Sequence, residues 1–173
     1  MSKVMKNVID EIDKKFECSQ INFEDASWRK GIPSEAGWYL IKTDTPIEVL
    51  KSVRPPRHKA HINIPRTIDD TSALRDADIA ILPQSGDEDY VAYNGEAKNL
   101  KARAREHEDG HAKTYCLGLS NYESLRGYRW TFCYVAVSSC KVLSNKEKRD
   151  KLLRLAIEQG WRAKNGWPIL CKR

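Results

Sequence analysis

Tyr93-Asn94-Gly95-Glu96-Ala97-Lys98-Asn99-Leu100-Lys101-Ala102-Arg103-Ala104-Arg105-Glu106-His107 reads as a strand end and a glycine turn running straight into a basic helix. On a helix, Arg103 and His107 stand at i and i+4 and share a face. Gly95 lets the chain turn, so that Tyr93 comes close to that face. A tyrosine, an arginine and a histidine are therefore predicted to converge on one point.

Working outward, Ser34-Glu35-Ala36-Gly37 introduces a strand at Trp38-Tyr39-Leu40-Ile41-Lys42, and Tyr90-Val91-Ala92-Tyr93 forms a second. From Trp130 to Val137 aromatics alternate with smaller residues, which predicts a third strand in a sheet with one aromatic face buried. Val4, Val8, Ile9, Ile12 and Phe16 recur at helical spacing and predict an amphipathic helix packed against the domain. A loop at Asp109-Gly110 and a short helical piece around Tyr122 to Leu125 follow the basic helix. Ser144-x-x-Glu147 is a capping box that announces the last helix. Leu152, Leu153, Leu155, Ala156 and Ile157 anchor it and Gly160 ends it, leaving Glu158 on the final turn facing solvent or a site.

Gly37-Trp38-Tyr39 and Tyr93-Asn94-Gly95 resemble the two tyrosine motifs on neighbouring strands that name the GIY-YIG nuclease family. Ala97, Asn99, Leu100 and Arg103 match that family's usual Ala-x-Asn-Leu-x-x-Arg pattern. The helix ending near Ala156-Ile157-Glu158 lies where the family keeps its metal-binding glutamate. Two departures stand beside the match: Asn94 replaces an aliphatic residue, and residues 40–92 separate tyrosines that the family often joins by a short connection. The resemblance implies an α+β fold, a small antiparallel, three-stranded sheet flanked by helices. The chain is then one domain over residues 1–173, with an N-terminal helical extension at about 1–33 and an insertion at about 44–88.

At 173 residues the chain suffices for one domain with its own core. Lys and Arg number 30 against 24 Asp and Glu, and the formal charge of +6 favours a polyanionic partner without identifying it. The five cysteines include no Cys-x-x-Cys pair and are odd in number, which predicts reduced, intracellular thiols. His107, His111 and Cys116 form a zinc alternative, weakened by Asp109-Gly110 interrupting the helix. No apolar run approaches the ~20 residues that cross a bilayer, so a soluble, cytoplasmic chain is expected.

Phosphodiester hydrolysis needs an activated oxygen, stabilisation of charge on the phosphate and neutralisation of the leaving oxygen. The resemblance implies that Tyr39 and Tyr93 border the reacting phosphate and that one of them deprotonates or orients a water. Arg103 is expected to bind the phosphate through its planar guanidinium. His107 is expected to assist as a proton acceptor. Glu158 is expected to hold Mg²⁺, for which Mn²⁺ substitutes, since magnesium often uses only one or two protein carboxylates. Glu147 is the alternative acid, and Asn165 either supports the site or simply makes the turn before Pro168. Each tyrosine also has a plain reading as a packed strand residue.

Lys98, Lys101 and Arg105 are the expected phosphate contacts near the site. Arg54, Arg57 and Lys59, set among Pro55, Pro56 and Pro65, form a stiff basic loop that either tracks phosphates or merely covers the sheet edge. The expected function is metal-dependent endonucleolytic hydrolysis of DNA, restriction-like or associated with phage or mobile elements. The alternative is a noncatalytic nucleic-acid-binding module of the same fold. Pairing of two copies as a homodimer to cut both strands stays open.

Overall fold

The computed structural model describes residues 3–54, 62–83 and 88–172. Strand β1 spans Glu17–Gln20, β2 Gly37–Thr43, β4 Tyr90–Ala97 and β5 Trp130–Ala136. These form one antiparallel sheet in the order β1-β5-β2-β4. The expected three-stranded sheet is thus corrected to four strands. The added strand, Glu17-Cys18-Ser19-Gln20, is a short polar edge strand, so it carries no alternation by which to recognise it.

Strand β2 lies between β4 and β5 and is buried almost throughout. Tyr39 and Ile41 join Phe132 and Tyr134 in one core. Trp38 and Leu40 join Cys133 and Val135 in another, as the two-residue period requires. Both faces are therefore covered, not the aromatic one alone. Over the Tyr39 face lie α2 (Ile47–Ser52), α3 (Ile64–Ser72) and α4 (Leu100–Asp109). Over the opposite face lie α1 (Lys3–Asp13) and the last long helix.

The region 44–88 is not simply a basic loop. Leu50, Ile62, Ile64 and Ile68 from it are buried in the Tyr39 core. Its short β3 (Ile81–Leu82) pairs in parallel with β6 (Trp167–Pro168). Arg54 is exposed just beyond α2, whereas Arg57 and Lys59 lie outside the described residues.

Three local expectations change. Strand β4 runs through Gly95 to Ala97 without turning, and the chain breaks instead at Lys98-Asn99. There Asn99 caps α4 by accepting from the Ala102 N–H at 2.9 Å. The capping box at Ser144 and Glu147 starts only α5 (Asn145–Arg149). A second cap, Asp150, starts α6 (Lys151–Asn165), which passes through Gly160 and ends at Gly166. Gly160 serves close helix packing: a Cβ there would lie 3.0 Å from Ile9 Cδ1 on α1.

The thiol expectation also fails in part. Cys18 and Cys133 face each other across β1 and β5 and are joined by a disulfide, while Cys116, Cys140 and Cys171 are free and buried. Strand register, not sequence spacing, brings the pair together. Among the described residues no helix is long and apolar enough to cross a membrane.

Candidate active site

Tyr39 projects from the middle of β2 towards α4 and is 1% exposed. The Arg103 Nε–H donates to Tyr39 Oη at 3.0 Å, and His107 Nε2 lies 3.0 Å from the same oxygen. The expected sharing of one helical face by Arg103 and His107 is thus realised. Tyr93 stacks on Tyr39 with ring centres 6.1 Å apart and meets the His107 ring at 4.9 Å.

The histidine's protonation follows from its partners. The Leu117 N–H donates to His107 Nδ1 at 3.2 Å, so that nitrogen is an acceptor. Burial, with the Arg103 charge adding to it, pushes the His107 pKa well below 6.5 and keeps the ring neutral. A neutral imidazole carries one proton, which must sit on Nε2 and be donated to Tyr39 Oη. Tyr39 Oη therefore accepts two hydrogen bonds, and neither His107 nitrogen has a lone pair left to take a proton. His107 acts on Tyr39 as a positioning group in this arrangement.

That burial has a measurable consequence. Below about pH 6.5 the unfolded chain binds a proton at His107 that the folded chain refuses. Stability present above this pH is lost as pH falls, by about 1.4 kcal/mol per unit from this group, until the folded pKa is reached. Denaturant melts of wild type and His107→Gln from about pH 7 to about pH 5 should show the weaker acid sensitivity in the variant. Equal slopes would contradict the assignment.

Burial also raises the Tyr39 pKa to about 12, against the opposing Arg103 charge, and it holds Tyr93 well above 10. Both phenols are protonated at neutral pH. Beside Tyr93 opens a cleft of about 330 Å³, lined also by Ile62, Thr67, Tyr115 and Lys172, with Tyr39 buried behind the Tyr93 ring. Tyr115 is 64% exposed on its wall. The remaining Arg103 nitrogens are engaged as well: Nη1 donates to Glu106 at 2.8 Å, and Nη2 donates to the Tyr115 carbonyl.

Glu158 is neither on a final turn nor turned to solvent. It is 8% exposed and reaches the outer edge of β4, where Oε2 accepts the Glu96 N–H at 2.9 Å. Its Oε1 accepts from Arg162 at 2.5 Å. Burial raises its pKa, opposed first by Arg162 and more weakly by Arg103, while its own charge raises those of Tyr39 and Tyr93. Tyr39, Tyr93, Arg103 and His107 thus form one contact group, whereas Glu158 acts on it only through its charge from the β4 edge, its hydrogen bonds going to the Glu96 N–H and Arg162.

Hydrated magnesium does not fit Glu158 as arranged. The space beside its carboxylate, walled largely by apolar side chains, is about 10 Å³, room for roughly one water. The Arg162 guanidinium already occupies the cation's side, and neighbouring Glu96 is held by Arg154 at 3.0 Å. Among the described residues no group of three or more His, Cys, Asp or Glu is placed to hold a metal ion. The zinc alternative meets the same result, since both His107 nitrogens are committed.

Sequence reading missed Arg162, which is 3% exposed and donates from Nε to Asn94 Oδ1 at 2.6 Å. Its i, i+4 spacing from Glu158 was the available signal. Asn94, the departure within the second motif, is explained by this partner: it is a buried polar residue with its hydrogen bonds made. Asn165 is the last residue of α6, and its Nδ2 is buried without a hydrogen-bond partner among the described residues. Lys98, Lys101 and Arg105 are exposed and outside the Tyr93 cleft. Compared with known proteins, the chain matches no family model, no curated protein and no solved structure.

Proposed function

We propose that the chain is a phosphodiester hydrolase of the GIY-YIG type, an endonuclease acting on DNA. The observation that carries the reading is the double donation from Arg103 and His107 to Tyr39 Oη, behind the Tyr93 ring and next to Tyr115, two residues that line the cleft. A phenol oxygen that already accepts two hydrogen bonds has its own proton left to give. Since the Tyr39 pKa is pushed up to about 12, that proton is present at neutral pH. Tyr39 then acts as a fixed donor to the phosphate, rather than as the base that takes a proton from water.

On substrate binding the Arg103 Nη groups exchange Glu106 and the Tyr115 carbonyl for phosphate oxygens, while Nε stays on Tyr39. Charge-assisted donation of this kind stabilises the developing negative charge. Tyr93, on the cleft wall, orients the attacking water. The water oxygen bonds to phosphorus, the bond to the departing oxygen breaks, and Tyr39 passes its proton to that oxygen. The proton released by the water restores the phenol through solvent. A requirement for Mg²⁺, with Mn²⁺ able to substitute, enters this proposal from the resemblance alone.

One observation favours a second reading, a noncatalytic nucleic-acid-binding module: Glu158 is already neutralised by Arg162 and the Glu96 N–H. Incubating supercoiled plasmid with purified protein, with Mg²⁺, Mn²⁺ or chelator, separates the two. Nicking or linearisation supports hydrolysis, and its loss in chelator establishes the metal requirement. Salt-sensitive binding without cleavage in any condition supports the binding module.

A further inference from the structure

We infer that a second surface, on the side of α4 away from the Tyr93 cleft, is a binding groove for the phosphate backbone of duplex DNA. The inference rests on the nuclease reading and says where the substrate runs beyond the cleft. Arg29 and Lys30, from the N-terminal extension, face Lys101 and Arg105 of α4 across a groove of about 440 Å³. Among the described residues no carboxylate lines it, and its other lining residues, Ser34 and Asn99 among them, are small or neutral.

Helix geometry separates this groove from the cleft. Lys101 and Arg105 share one face of α4, and Arg103 and His107 share another about 200° away. Arg103 is turned to Tyr39, whereas Lys101 and Arg105 are exposed. A helix with its side chains is about 10–12 Å across. Successive phosphates of one strand advance about 3.4 Å along the duplex axis. For a duplex whose axis runs across α4, the groove then meets phosphates about three steps from the one held at Arg103.

The acids nearby leave a cationic excess. Arg29 pairs with Glu108 at 3.2 Å and Asp109 at 3.3 Å, and Arg105 shares Asp109 at 3.7 Å. Asp25, beside Lys30, caps the turn by accepting from the Ser27 N–H. Lys101 and Lys30 remain to meet the polyanion, with Arg105 able to exchange its exposed pair. The first N–H groups of α4 are not the attraction, because those of Leu100 and Lys101 already donate to the Glu35 and Pro33 carbonyls.

The test is duplex binding as a function of salt. Fluorescence anisotropy with a labelled duplex is measured for wild type, Lys30→Gln, and the triple variant Lys30→Gln, Lys101→Gln, Arg105→Gln, in chelator to prevent turnover. Each lost phosphate contact should lower the slope of log affinity against log salt by about 0.9, so the triple variant should lose about three such increments. A wild type that binds with a steep slope, and a triple variant that keeps it, would overturn the groove while leaving the nuclease reading intact. A wild type with no salt-sensitive binding would overturn both.

Discussion

Tyr39→Phe is expected to reduce DNA cleavage by about 10²–10³-fold, the scale of losing one preorganised donor at a reacting centre. The same change should destabilise the fold by about 1–3 kcal/mol. Both effects come from one atom. The ring itself is retained between Phe132, at 5.2 Å, and Tyr93, at 6.1 Å, so packing changes little. Removal of Oη leaves the Arg103 Nε–H and the His107 Nε2–H without the acceptor they share. Thermal melts and plasmid cleavage on the same preparations check the pair of outcomes. A variant as stable and as active as wild type would show that Oη is a spectator.

Gly95→Ala should be about as damaging, although it adds only a methyl group. A Cβ at this position would lie 2.6 Å from Tyr39 Cζ and 2.9 Å from Cε1. The Tyr39 ring cannot give way easily, because it is stacked between aromatic neighbours and its oxygen is held by Arg103 and His107. Overpacking of this sort costs about 1–3 kcal/mol, and any relief displaces the phenol oxygen from its donors. The expected result is a lowered melting temperature together with cleavage reduced to the level of Tyr39→Phe. Unchanged activity would mean that the ring relaxes freely and that its placement is not critical.

The glycine shows why the local sequence was only half legible. Tyr93-Asn94-Gly95 announces a glycine with a purpose, but a turn and a close approach look alike in sequence. Only the β2–β4 register, which sets Tyr39 opposite Gly95, identifies the purpose as space for an aromatic ring. Gly160 misleads in the same way, since its reason lies on α1 at Ile9 rather than in its own helix. Arg103 and His107 were legible because their shared face depends on helical periodicity alone.

Features set by tertiary placement were not readable. Strand β1 has too few apolar positions to signal itself, and its pairing with β5 is what puts Cys18 opposite Cys133. The insertion was read through its basic residues, while Leu50, Ile62, Ile64 and Ile68 tie it into the core. Glu158 was located on the correct helix, but its burial against the β4 edge and its pairing with Arg162 depend on how α6 packs. Those contacts decide whether the carboxylate has room for an ion.

The proposed centre stands on Arg103 meeting phosphate in the cleft beside Tyr39 and Tyr93. The most direct measurement is the rate of plasmid nicking by wild type and by Arg103→Ala, with circular dichroism confirming that both are folded. Nicking by the wild type, lost by a factor of about 10² or more in folded Arg103→Ala, is the predicted result. Equal rates from the two proteins, or no cleavage by wild type in Mg²⁺ or Mn²⁺, would contradict it.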